Sequence, residues 1–154
     1  MAKAIDIYID ADACPVKDEV YRVAQRYNLH THVVANAYIH VPAHPKISRT
    51  VVEAGPDVAD DWIAEHALPG DVVITNDIPL AERVLRVGAA AIAPNGRPFT
   101  VDSIGSAIAQ RAIMEQIRST GAITGGPKPF DRTDRSRFLQ SLDETINREM
   151  RKRR

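Results

Sequence analysis

Cysteine is nearly absent from this chain. Cys14 is the single thiol in 154 residues, which rules out an internal disulfide, a zinc knuckle and a Cys-x-x-Cys redox pair. Long apolar runs are missing as well. No stretch approaches the roughly 18 consecutive apolar residues of a membrane span, and Met1 to Ile9 alternates charged and apolar residues where a signal peptide would carry an unbroken apolar run. A cytoplasmic protein without a membrane partner is the expectation. Repeats and low-complexity tracts are lacking too, and a chain of 154 residues has room for one ordinary core. Residues 1–154 are therefore expected to form a single domain.

Net charge is also absent, but the cancellation is not local. Of 20 basic and 20 acidic residues, 11 basic and 15 acidic precede Lys128, whereas 128–154 holds 9 basic and 5 acidic. A basic tail ending Arg148, Arg151, Lys152, Arg153, Arg154 can neutralise nucleic-acid phosphates, or simply face water and complement a helix C-terminus.

The apolar pattern alternates between strand and helix. Ile5 to Ile9 has period two and ends at Asp10, and Pro15 opens a helix whose Val16, Val20, Val23, Ala24 and Tyr27 recur at helical spacing. His30 to Asn36 reads as a second strand, which Tyr38 to Val41 extends or follows, and Arg49 to Glu53 as a weaker third. A helix from Val58 to Ala67, a buried strand over Asp71 to Thr75, a helix from Pro79 to Val87 and a strand over Ala89 to Ala93 follow. This order predicts an α/β sandwich with a mostly parallel sheet, because parallel neighbours need crossover connections that helices supply. Beyond Asp102 the pattern is helical, with Ile104, Ile108 and Ile117 in one segment. Residues 121–133 read as a long loop, and Phe138, Leu142, Ile146 and Met150 mark a C-terminal helix over 134–150.

The chemistry-bearing residues are aspartates at the ends of apolar runs. Asp10 and Asp12 follow the first strand, Asp77 follows the strongest one, and Asp57, Asp60 and Asp61 open the helix between them. In a parallel sheet the strand ends share one rim, where ligands bind. Asp12 and Asp77 also suit helix caps; Asp57 leans toward a cap, Asp60 toward a ligand and Asp61 toward solvent. Carboxylates gathered on one rim suit Mg²⁺ or Mn²⁺ better than zinc, and such ions activate water for phosphoryl chemistry.

Other groups carry less. Cys14 reads as a packed residue, and His30, His32, His40, His44 and His66 lack the spacing of metal ligands. Gly125-Gly126-Pro127-Lys128 lacks the spacing of a phosphate-binding P-loop, yet Lys128, Arg132, Arg135 and Arg137 surround that loop and can clamp a phosphate if it folds over the rim.

Four blocks in order, Asp10-Ala-Asp-Ala-Cys-Pro15, Gly55-Pro-Asp-Val-Ala-Asp60, Thr75-Asn-Asp-Ile-Pro-Leu-Ala81 and Gly125-Gly126 with Asp134-Arg135-x-x-Phe138, resemble the signature of the YaiI/YqxD family of bacterial proteins. The resemblance covers about residues 5–142 and implies a PIN-like fold, a three-layer α/β/α sandwich whose relatives include metal-dependent ribonucleases. It matches Thr75-x-Asp77 to the Ser/Thr-x-Asp element of those nucleases, Asp10 to their first-strand aspartate and Asp60 to their helical acid, where a Glu often stands.

The leading expectation is a Mg²⁺- or Mn²⁺-dependent nuclease or phosphodiesterase acting on RNA or another nucleic acid. Asp10, Asp12, Asp60 and Asp77 would be ligands, and Thr75, Arg49, Lys128, Arg132 and Arg135 would contact substrate. The alternatives are a non-catalytic module that binds nucleic acid or protein through the basic C-terminal helix, and a hydrolase of mononucleotides.

Overall fold

The computed structural model describes residues 4–12, 14–55, 57–106, 109 and 130–152. Its centre is a five-stranded sheet of β1 (Asp6–Asp10), β2 (His30–Ala35), β3 (Ile47–Val51), β4 (Val72–Ile74) and β5 (Ala90–Ile92). The strands lie in the order β3-β2-β1-β4-β5, every pair parallel. Helices α1 (Lys17–Arg26), α2 (Val58–His66) and α3 (Ile78–Arg86) are the crossovers. A helical segment, α4, is described over residues 101–106, and α5 (Arg132–Lys152) closes the chain.

From β1 the chain steps outward to β2 and β3, then returns through α2 to β4 on the other side. Crossovers of this kind are right-handed, so connections running in opposite directions place their helices on opposite faces. Accordingly Ile7 and Ile9 pack with Val20, Val23 and Ala24 of α1 and with Phe138, Leu142 and Ile146 of α5. On the other face Tyr8 and Val73 pack with Ile63 of α2, Leu80 and Val84 of α3 and Ile104 of α4. The alternation in β1 thus feeds two cores, and β4 and β5 are apolar throughout because both of their faces are covered.

Asp71, just before β4, is fully buried. Its two carboxylate oxygens accept from the Asp6 amide at 3.0 Å and the Leu68 amide at 2.9 Å, tying the start of β1 to the turn that enters β4. Burying a carboxylate is costly unless such donors meet it.

Most elements lie within two residues of the pattern reading, and three features depart from it in ways that have a local cause. β3 occupies 47–51 instead of 49–53, because Ile47 supplies the apolar contact that its sequence window leaves out, and no strand forms over Tyr38 to Val41. The C-terminal helix begins at Arg132, inside the stretch read as loop. Asp131 Oδ1 accepts from the Asp134 amide at 2.9 Å and Asp134 Oδ2 from the Asp131 amide at 3.1 Å, a reciprocal capping box that starts the helix two residues early. The rest of that loop reading, with Gly125, Gly126 and Lys128, lies outside the described residues, as do Ile108 and Ile117.

Candidate functional site

The direction of chain travel reverses between β1 and β4, and in open α/β sheets the crevice outside the carboxyl ends at such a switch point is where ligands bind. Asp10 is the last residue of β1, and Thr75, Asn76 and Asp77 follow β4 directly. The buried Thr75 hydroxyl joins the two strand ends: it donates to Asp10 Oδ2 at 2.8 Å and accepts from the Asp77 amide at 2.9 Å. Asp77 Oδ1 accepts from the Leu80 amide at 2.8 Å and so caps α3. Both sequence roles of Asp77, cap and rim acid, are present at once.

Asp60 enters this group from the first turn of α2. Burial, the charges of Asp77 and Asp10, a hydrogen bond shared with Asp77 and the charge of Asp57 together push its carboxyl up to about 7. Asp10 is raised as well: burial and the charges of Asp12 and Asp77 outweigh the hydrogen bond from Thr75, which acts the other way. Neighbouring negative charge thus raises the proton affinity of both Asp60 and Asp10, which marks a site that favours positive charge. The donor set is carboxylate and hydroxyl oxygen, with neither sulfur nor imidazole, which fits a hard divalent cation. Among the described residues no three His, Cys, Asp or Glu groups are already spaced to hold a metal ion, so a cation would have to draw these carboxylates closer.

The remaining candidates are distributed unevenly. Asp12 lies in the exposed turn after β1, and its charge reaches Asp10. Asp57 occupies the N-cap position of α2 in a left-handed conformation, φ 68°, and its side chain makes no capping bond. Asp61 pairs with Arg83 at 2.6 Å. Arg49 aligns with Val33, whose side chain packs on the α1 face, whereas Asp10 aligns with Val34 on the α2 face. Arg49 therefore projects from the opposite side of the sheet and lies over the Tyr38 ring, 4.3 Å from its centroid. Arg135 is engaged by Glu19 at 2.8 Å and the Pro15 carbonyl at 3.1 Å, and Arg132 is exposed at the start of α5. Cys14 is buried, and burial pushes its thiol up.

Two imidazoles pack in an aromatic cluster with Tyr8 and Trp62. His32 stacks on Tyr8 with centroids 4.6 Å apart and meets Asp6 at 3.0 Å, while His66 stacks on Trp62 at 3.8 Å. Asn76, Asn95 and Arg97, which no sequence motif marks, line a cleft that opens at Asn76, the neighbour of Asp77 in the chain. The only signal for them was position, since each follows the end of a buried strand.

The raised Asp60 carboxyl has a measurable consequence. The folded form keeps a proton that the unfolded chain releases near pH 4, so this contribution to stability is fully present below that pH and is lost as pH rises through about 7. Solvent screens this half-buried group, which reduces the effect to about 1–2 kcal/mol. Asp60→Asn is expected to gain that amount over wild type at pH 8 without metal and nothing at pH 4. Urea unfolding at the two pH values measures it, and a variant no more stable than wild type at pH 8 would contradict the repulsion.

Comparison with known sequences finds close relatives of this chain. The family described as "Uncharacterized BCR, YaiI/YqxD family" matches residues 8–148. A "UPF0178 protein" of Caulobacter sp. (strain K31) is 66% identical over 140 residues, covering 91% of this chain and 93% of the relative. One of Rhodopseudomonas palustris (strain TIE-1) is 58% identical over 147 residues, covering 96% and 93%. No solved structure matches the chain.

Proposed function

The chain belongs to the YaiI/YqxD family, and from its site we propose that it is a divalent-metal-dependent nuclease or phosphodiesterase acting on RNA or another nucleic acid. One observation carries this reading. Asp10, Asp60 and Asp77 come from three different elements to the switch-point crevice, and their mutual repulsion is written in the raised Asp60 carboxyl. The likeness of Thr75-x-Asp77 to the Ser/Thr-x-Asp element of PIN nucleases points the same way.

In this reading Asp10, Asp60 and Asp77 hold Mg²⁺ or Mn²⁺, and Asp12 adds negative charge at the outer edge. The bound ion would supply a water acidic enough to attack phosphorus and would polarise a phosphoryl oxygen. Thr75 is a positioning residue: its bond to Asp10 and its acceptance of the Asp77 amide hold the two strand ends in register. Asp60, with a carboxyl near 7, takes or gives a proton in the neutral range when no cation holds it. No helix among the described residues is long and apolar enough to cross a membrane, and a cytoplasmic nucleic acid is the substrate this reading calls for.

The test is direct. Labelled RNA, labelled DNA and mononucleotides are incubated with the protein in Mn²⁺, Mg²⁺ or EDTA. Cleavage of a polynucleotide with divalent metal and none in EDTA is the expected result, and no turnover of any substrate with either metal sinks the catalytic reading. A second reading, a non-catalytic nucleic-acid-binding module, is favoured by the exposed Arg148 and Arg151 on α5 and by the carboxylates' lack of a ready metal geometry. It requires salt-sensitive RNA binding that is lost on removing 148–154.

A further inference from the structure

One cleft opens beside the acidic rim, and a second lies across the turn that follows β5. The first, about 450 Å³, opens at Asn76, next to Asp77, and includes Arg97, Phe99 and Ser103. The second, about 540 Å³, lies between the turn after β5 and α5 and includes Arg137, Gln140 and Glu144. Asn95, Arg97 and Pro98 line both, so the two clefts flank the same turn.

This turn is held in place. Gly96 has φ 91°, and a Cβ there would stand 2.6 Å from the Arg137 carbonyl carbon and oxygen, so the turn rests directly on the α5 backbone. Its cations are also uncommitted. Arg26, Arg83 and Arg135 are paired with Asp143, Asp61 and Glu19, whereas among the described residues no carboxylate pairs with Arg97 or Arg137, both exposed. Asn95 Oδ1 accepts from the Arg97 amide at 3.0 Å, which leaves the Asn95 NH₂ group for another acceptor. Phe99 contributes a half-buried ring to the wall of the first cleft.

Each cleft has the size of a small-molecule site, so a mononucleotide would fill one and leave the other unused. A duplex hides its base faces, whereas a single strand offers bare bases to an aromatic ring and a regularly spaced row of phosphates to arginines. Glu144, which accepts from Gln140 Nε2 at 3.1 Å, repels phosphate and marks the far end of the row. We propose that a single-stranded nucleic acid leaving the acidic rim runs through the first cleft and over this turn into the second, with Arg97 and then Arg137 contacting successive phosphates. The inference rests on the reading of the rim as a phosphodiester-hydrolysing site, and it makes the substrate polymeric.

Binding of fluorescent single-stranded RNA of two to ten nucleotides, followed by anisotropy in Ca²⁺ at several salt concentrations, tests the path. Wild type is expected to bind more tightly as the oligonucleotide lengthens. Arg97→Gln and Arg137→Gln are each expected to weaken the ten-nucleotide RNA roughly 10-fold and to lower the salt slope by about 0.7. Arg26→Gln, with the same change of net charge at the far end of α1, is expected to do neither. Wild-type affinity and slope in both variants, or affinity independent of length, overturns the path. If that happens while wild type still cleaves RNA with Mn²⁺, only the path fails. If arginine- and length-dependent binding appears without turnover on any substrate, the path stands and the catalytic reading fails.

Discussion

Asp10→Asn and Asp77→Asn are expected to abolish Mn²⁺-dependent cleavage while leaving the fold intact. Losing a partner that merely supports a metal ligand typically costs 10- to 100-fold, so removing a ligand itself is expected to cost more than about 100-fold. Asn keeps the oxygen that accepts from Thr75 at position 10 and remains a good N-cap at position 77, so the bonds holding both strand ends persist. What disappears is one negative charge from a group whose members already repel. Both variants should therefore unfold no earlier than wild type in metal-free buffer even as cleavage disappears. That combination separates a ligand from a scaffold residue, because a scaffold residue loses activity and stability together. Wild-type rates in either variant would remove the rim from the mechanism. The Asp60 pH effect belongs to the same account: the rim is kept at a stability cost that a hydrophobic or neutral set of side chains would not incur.

Phe138→Ala is expected to produce the largest loss of stability in the molecule, about 3–5 kcal/mol. Its ring is wholly buried and belongs to the same cluster as Ile7 and Ile9 of β1 and Val20 of α1. Truncation leaves a void against the middle of the sheet, where parallel strands held on both faces have little room to collapse. The loss should lower the melting temperature by roughly 10 °C. Because α5 also supports the turn through Gly96, a partly folded variant would lose the second cleft along with the core. A loss under about 1 kcal/mol in urea unfolding would mean that α5 adds little to the core, well short of a large-to-small core substitution.

How far the sequence could be read is clearest residue by residue. The alternation of period two and period 3.6 was enough to foresee parallel strands, and with them that Asp10 and Asp77 share a rim, because both properties follow from local spacing. The Asp131–Asp134 capping box was equally local, and counting three residues along would have found the true start of α5. Arg49 shows the limit: its distance from the rim depends on strand order and on the register of β2 with β3, and a shift of one residue moves a side chain to the other face. Among Asp57, Asp60 and Asp61 the sequence favours Asp60 as the rim acid, but all three sit close together at the start of α2, and the packing of that helix is what brings the Asp60 carboxyl to Asp77.

By itself the sequence determined the elements, their parallel arrangement and the presence of acids at strand ends, because periodicity and capping act over a few residues. Tertiary structure alone decided the order β3-β2-β1-β4-β5, the joining of Asp10 to Asp77 through Thr75 and the placing of Arg97 and Arg137 in clefts that share one turn. These depend on contacts between residues far apart in the chain, which are set by burial and packing rather than by neighbouring residues.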